Sequence, residues 1–432
     1  MMPVRTWLGA GLFALVFGAL ALFSMSLRPD YSASVLVWPA GGILLGAMMR
    51  TPPARWPLWL AIATALHLAV SFYGGRSAAL TAVYTLQQLF MMPLVAAIWR
   101  ARVQPAYTLE TPHGVAWFVG LLAAVTLACG LLTHFIVNAV GLVLAPAPLG
   151  SWLGGAISDG IGGLIGAPLV VAWTSLQARR SGGPTPRDFW AGLLWFALLA
   201  ITAVVVFDGP SARWVLGADG YELSYLPLLF VILVALQWGQ RGLTLAIVLL
   251  AGVALLNTMQ GEGPFASGQS VFGDAILEVQ GYLGAAALLG LLMAAIASTR
   301  DRALKAAAAW KVRYEAALLG SQHLSYEYDP ATRALLWGGD IAGLLGLAPE
   351  ALPTLDRFLE RVHPDERDRV LAATRERAHD SDGPPRESRF RFLFGDGQYR
   401  TLVDTGAALV GLDDEVYRIN GLLRLAPPAE AE

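Results

Sequence analysis

Asp159 is the residue best placed to do chemistry. It lies in Ser158-Asp159-Gly160-Ile161-Gly162-Gly163-Leu164-Ile165-Gly166-Ala167-Pro168, inside a long apolar stretch. An ionised carboxylate at mid-bilayer costs roughly 3 kcal/mol or more, so such a residue faces the interior of a helix bundle, is protonated, or sits near an interface. Two readings stay open: a ligand- or signal-sensing position, and a hydrogen-bonded packing residue that glycines let a second helix approach. His67, Gln87, Gln88, His134, Asn138, Gln237 and Glu278 are further polar groups within apolar stretches. His134 and Asn138 are four apart and share a helix face. Interhelical hydrogen bonding accounts for each of them singly, and the spacing of His67 and His134 gives no metal-site pattern. Trp38-Pro39-Ala40-Gly41-Gly42 breaks helical continuity, because proline removes a donor and glycine relaxes the backbone. In a membrane such a break is stable only where it is buried in protein or lines a cavity; otherwise the motif is the start of a span with an interfacial Trp.

The elements that must position these residues are apolar helices. Of 432 residues, 56% are hydrophobic and 14% charged, against about a quarter charged in soluble domains. Residues 1–299 hold 12 Arg, no Lys and 10 acidic residues, whereas 300–432 hold 18 basic and 22 acidic residues. That shift places a domain boundary near Arg300. Ten stretches approach the span length of about 20 residues: 7–27, 33–49, 57–73, 78–99, 115–137, 152–176, 190–207, 223–238, 241–258 and 277–298. The second and third are short and rich in Gly or Pro, so a re-entrant form reduces the count to eight. The first resembles a signal peptide, but its apolar run is too long for one and is expected to be retained. With the N-terminus inside, nine arginines (Arg5, Arg50, Arg55, Arg100, Arg102, Arg179, Arg180, Arg187, Arg241) fall on cytoplasmic segments. Three (Arg28, Arg76, Arg213) fall outside, as the positive-inside rule requires. The expected location is a bacterial inner membrane, multi-pass and in contact with lipid, with both termini cytoplasmic. Net charge is −2 and no basic tract stands out, which argues against nucleic acid. The single cysteine, Cys129, excludes disulfides and thiol photochemistry within the chain.

Residues 298–321 contain no proline and are rich in helix formers. Ala303, Ala307, Trp310, Tyr314, Ala317 and Ser321 follow a 4-3-4-3-4 spacing, a heptad seam. They predict a signalling helix that continues the last span and pairs across a homodimer; an amphipathic helix lying on its own domain is the alternative. Beyond it, strands are predicted at 323–328, 334–337, 387–394, 399–410 and 416–425, with helices at 340–345, 355–362 and 364–379. This gives an α+β domain: a five-stranded antiparallel sheet with helices over one face.

Trp38-Pro39-Ala40-Gly41-Gly42-Ile43 resembles the Trp-Pro-x-x-Gly-Ile motif of the MASE-type membrane-associated sensor domains, first type. Ser158-Asp159-Gly160-Ile161-Gly162, then Ala167-Pro168 and Trp173, resembles that family's second motif, with Ser158 where Gly is common. The resemblance covers about 10–300 and implies a sensory input, with Trp38, Pro39, Gly42, Asp159 and Gly162 as sensing candidates; His134 and Asn138 join them on their shared helix face. Tyr326-Glu327-Tyr328-Asp329, Leu344-Leu345-Gly346-Leu347, Leu359-Glu360-Arg361-Val362-His363-Pro364-Asp365-Glu366-Arg367 and Phe390-Arg391-Phe392 before Gly395-Asp396-Gly397 resemble the PAS fold over 322–425. That implies dimerisation, relay and sometimes a small bound molecule. No cofactor is expected: haem needs an axial His, and His323, His363 and His379 sit at element ends. An empty or lipid-filled apolar core is the expectation.

The organisation expected is therefore a membrane sensor domain at 1–299, a linker helix at 300–321, a PAS domain at 322–426 and a tail at 427–432. Family members are normally joined to histidine kinases, diguanylate cyclases or phosphodiesterases, and no such segment or nucleophile-base constellation is legible here. The function expected is a non-enzymatic membrane sensor relaying to a separate kinase, response regulator or cyclic-di-GMP enzyme. The alternatives are a truncated or degenerate sensory enzyme, and a transporter using Asp159 and Glu278 as an ion path with a regulatory PAS domain.

Overall fold

The computed structural model describes residues 4–27, 35–102, 108–142, 151–174, 186–217, 223–266, 272–321, 323–377, 386–410 and 416–427. Compact units form at Met1–Arg302 and Ala303–Glu432. The first is helical: α1 (Val4–Ser26), α2 (Pro39–Arg50), α3 (Trp56–Tyr73), α4 (Ala78–Arg102), α5 (Pro112–Ala139), α6 (Ser151–Thr174), α7 (Pro186–Phe207), α8 (Gly209–Leu216), α9 (Leu226–Met259) and α10 (Phe272–Ser321). Eight helices among the described residues are long and apolar enough to cross a membrane.

Two elements formed from the apolar stretches are less regular. The predicted stretch 33–49 yields only a 12-residue helix, about 18 Å long and short of a ~30 Å hydrocarbon core. Four buried non-helical residues, 35–38, precede it, and each can add up to about 3.3 Å. The segment is not re-entrant, because α1 and α3 run parallel. Phe13 meets Trp59 at 5.1 Å between rings, a Cβ on Gly18 would sit 3.8 Å from Leu66, and Met25 covers Gly74. A connection between parallel neighbours has to traverse the bundle. The other irregular element is α9, which folds back at Gly239 (φ 63°, ψ −151°). A Cβ on Gly242 would lie 3.2 Å from Val234, whereas residues eight apart in a straight helix are about 12 Å apart. The predicted stretches 223–238 and 241–258 are its two arms.

α2 packs most intimately on α6, in parallel, through Gly42 and Gly46 on one helix and Gly162, Gly166 and Ala167 on the other. A Cβ on Gly166 would lie 2.7 Å from the Gly42 carbonyl carbon, and one on Gly46 would lie 2.6 Å from Val170 Cβ. Small residues four apart let helix backbones touch where lipid offers no competing hydrophobic drive. α10 also runs parallel to α6: Gln280 lies beside Gly154 and Gly284 beside Ile161.

The second unit has strands β1 (Leu324–Tyr328), β2 (Leu335–Gly338), β3 (Arg386–Leu393), β4 (Tyr399–Val410) and β5 (Val416–Leu425), and helices α11 (Ile341–Leu345), α12 (Leu355–Arg361) and α13 (Arg367–Arg377). The strands form one antiparallel sheet in the order β2-β1-β5-β4-β3. The strand bounds match the predicted ones within one residue; Arg386 starts β3 and Leu324 starts β1. Helix α13 ends sooner than predicted at Arg377, and His379 lies outside the described residues. The His363-Pro364-Asp365-Glu366 turn is structural. Its backbone N–H donates to the Arg391 carbonyl at 2.9 Å, Glu366 accepts from the Arg391 N–H at 2.6 Å, and the His363 ring meets Tyr399 at 5.0 Å.

The core of this unit is aromatic, with Phe358, Phe390, Phe392 and Phe394 buried together, but it is not uniformly apolar as expected. Tyr326, Asp404 and Arg377 form a buried cluster beside Gly406 and Gly421, whose missing side chains make room for the Tyr326 ring. The Tyr326 hydroxyl donates to Asp404 Oδ1 at 2.8 Å, and Arg377 Nη1 donates to Asp404 Oδ2 at 2.5 Å. Burial pushes the Tyr326 hydroxyl well above the usual phenol range, and the neighbouring Asp404 charge adds to the effect.

Removing one partner of such a pair strands the other charge and costs about 3–5 kcal/mol. Asp404→Ala is therefore expected to raise proteolysis within β3–β5 sharply in the full-length protein, and Asp404→Ala with Arg377→Met to restore part of the loss. A tyrosine that holds its proton more tightly when folded contributes stability that is full below pH ~10 and lost above it. The alkaline loss of protection in this unit should be shallower in Tyr326→Phe. In the bundle, Gly162→Leu should lower the melting temperature of purified protein strongly, while Gly120→Leu, where a Cβ meets nothing within 4 Å, should not.

Candidate functional site

Four elements converge on the non-helical stretch 35–38. The Trp38 backbone N–H donates to the Ser158 carbonyl at 3.3 Å, which sets the start of α2 against the Ser158-Asp159-Gly160 turn of α6. The Trp38 indole N–H donates to Gln88 Oε1 on α4 at 2.9 Å. That same oxygen is 3.1 Å from His67 Nδ1 on α3, and the Trp38 and His67 rings lie 5.2 Å apart. The next residue of α4, Gln87, donates from Nε2 to Asp159 Oδ2 at 2.8 Å. Arg76, just past α3, lies 4.7 Å over the Tyr84 ring. From the opposite side, Gln280 of α10, wholly buried, donates to the Leu36 carbonyl at 2.5 Å and to the Gly154 carbonyl at 3.2 Å.

The logic is that of backbone satisfaction. A peptide group in a bilayer interior without a partner costs several kcal/mol, so irregular backbone survives there only when protein groups satisfy it. Gln280 and Ser158 supply those partners, while the Gly42–Gly162 contact brings the two backbones close enough for the second bond to form.

Trp38, Pro39, Gly42, Asp159 and Gly162, from two motifs far apart in the chain, lie together. His134 and Asn138 are not part of this group. Asn138 donates to the His134 carbonyl at 2.9 Å on its own helix, so their shared face produces a local bond. His67 pairs with Gln88 and not with His134, and among the described residues no group of three His, Cys, Asp or Glu is placed to hold a metal. Glu278 is exposed; the buried polar residue of that stretch is Gln280. The seam residues Ala303, Ala307, Trp310, Tyr314 and Ala317 all lie on α10, each exposed in the single chain, Trp310 by 67%.

The chemistry available is hydrogen bonding and electrostatics in an apolar surround. Gln88→Leu leaves two buried donors without an acceptor, at roughly 1–3 kcal/mol each. It is expected to lower the melting temperature of the purified protein clearly, with Gln88→Glu, which keeps an acceptor, doing so less.

Residues 334–423 match the PAS fold family, in agreement with the five-stranded sheet. This part is similar to three solved structures. The first is the N-terminal domain of a diguanylate cyclase with PAS/PAC sensor from Marinobacter aquaeolei (21% identity, 24% of this chain, 94% of that one, TM-score 0.22). The second is a sensory box histidine kinase/response regulator from Burkholderia thailandensis (26%, 26%, 84%, TM-score 0.23). The third is an RNA-binding light-oxygen-voltage receptor (24%, 25%, 32%, TM-score 0.21). Comparison with curated proteins gives no match. The family model MASE1 matches residues 10–301, which contain the whole polar group around Trp38 and Asp159, and the chain belongs to the MASE1 family.

Proposed function

We propose that this protein is a membrane sensor in which the polar group around Trp38 and Asp159 detects a stimulus and α10 carries the response to the PAS domain. The observation that carries the reading is Gln280. The helix that leaves the bundle is hydrogen-bonded directly to Leu36, two residues from the Trp38 ring held by Gln88. A change at the His67–Gln88–Trp38 group therefore has a two-residue path to α10. At the far end of the bundle, Arg302 donates to the Glu110 carbonyl at 2.8 Å and pairs with its carboxylate at 3.1 Å. That contact fixes α10 where the bundle ends.

Arginine placement favours an inner membrane with both termini cytoplasmic. The PAS domain then faces the cytoplasm and passes the signal to a separate kinase, response regulator or cyclic-di-GMP enzyme. The protein acts as a homodimer through the exposed seam of α10, and its role is sensory rather than catalytic.

The seam reading is tested by cysteine cross-linking in membranes, in a Cys129→Ser background. Ala303→Cys, Ala307→Cys, Trp310→Cys and Tyr314→Cys are expected to give dimers and Lys305→Cys and Val312→Cys not. Equal cross-linking at all six positions, or none at any, would sink the dimer.

A further inference from the structure

The pairing around Gln88 fixes more than the position of Trp38. An indole N–H only donates, so the atom 2.9 Å from it is the Gln88 oxygen. His67 Nδ1 approaches the same oxygen and must therefore carry the ring's hydrogen. In the neutral imidazole, Nε2 is then a bare acceptor. It is buried, in a residue only 3% exposed, and has no hydrogen-bond partner among the described residues.

Several buried hydroxyls share this condition among the described residues, and three of them lie on α1, α3 and α4: Ser71 one turn along the same face of α3, Ser24 of α1 and Thr81 of α4, each at most 2% exposed. The register of the helices brings them together. Met25 covers Gly74, so Ser24 lies level with the Ser71 turn. His67 faces Gln88, and Tyr84 lies beside Arg76, so α4 runs back past Ser71 towards Thr81. Each buried polar atom without a partner costs about 1–3 kcal/mol, and four of them lie within about two helical turns on α3 and on α1 and α4, the helices packed on either side of it.

We infer that His67 Nε2 anchors a binding site, between α1, α3 and α4, for a small uncharged molecule carrying a hydroxyl. The hydroxyl donates to Nε2, and Ser71 hydrogen-bonds the same oxygen. A ligand there touches the residue that holds Gln88, and through it Trp38, so the inference rests on the sensor reading and names the ligand class of that site.

The test uses full-length protein with ¹⁵N-labelled histidine in lipid nanodiscs. His67→Gln identifies the His67 signals among the six histidines. The resting spectrum is expected to show Nδ1 protonated and Nε2 unprotonated. Phenol, which partitions into bilayers and donates a hydrogen bond, is expected to shift the Nε2 resonance saturably towards that of a hydrogen-bonded nitrogen. Anisole, its methylated counterpart without the donor, should leave it in place. Ser71→Ala should weaken the phenol response by roughly 2- to 12-fold, the value of one hydrogen bond. A protonated Nε2 at rest, an unmoved Nε2 in phenol, or equal responses to phenol and anisole would overturn the site. Because the readout is confined to His67, none of these results bears on relay through α10.

Discussion

The constraint on which the bundle depends is that a peptide group in hydrocarbon must find a partner inside the protein. A continuous helix meets it without help. Residues 35–38 cannot, because Pro39 lacks an N–H and opens a helix too short to cross alone. The side chains around this stretch arrange themselves accordingly. Gln280 reaches the Leu36 carbonyl from α10, and the Ser158 carbonyl receives the Trp38 N–H from α6. The glycines of α2 and α6 bring the two backbones into contact. A break that neighbours have to satisfy is also a break that neighbours can feel, which gives the most irregular part of the bundle a physical link to the helix that leaves it.

Much of this was legible in the residues. Proline followed by paired glycines after Trp38 offered a broken element as one of two readings, and Asp159 among glycines left a sensing position and a closely packed polar contact both open. The PAS strands were legible because alternation and the Asp329-Pro330 and Gly395-Asp396-Gly397 turns fix both register and ends. Gln280 was not. A charge two residues away at Glu278 is the louder signal, yet it is exposed, and a lone glutamine among Leu, Gly and Ala says nothing of the carbonyl it meets 244 positions earlier. His134 and Asn138 misled for a related reason: spacing of four puts two side chains on one face but does not say which neighbour that face meets. The Tyr326–Arg377–Asp404 cluster was hidden likewise, its members being 51 and 27 positions apart.

The two units use buried polarity in different ways. In the PAS unit a charged pair, Arg377 and Asp404, sits in an aromatic core and shares hydrogen bonds with Tyr326, which favours one arrangement at the cost of desolvation. In the bundle, Gln87, Gln88 and Gln280 carry the hydrogen bonds around residues 35–38, and among the described residues several hydroxyls and one imidazole nitrogen have no protein partner. A polar group with unused hydrogen-bonding capacity changes state when something else supplies the missing bonds.

The central claim is that the group around Trp38 acts on α10 through Gln280. The measurement that addresses it most directly is the rate of disulfide formation at Trp310→Cys in four backgrounds: the parent, Gln88→Leu, Gln280→Leu and both together. If the path runs through Gln280, Gln88→Leu changes the rate in the parent and has no further effect once Gln280 is replaced. If Gln88→Leu changes the rate by the same factor whether or not Gln280 is present, the two sites act independently and the account is wrong.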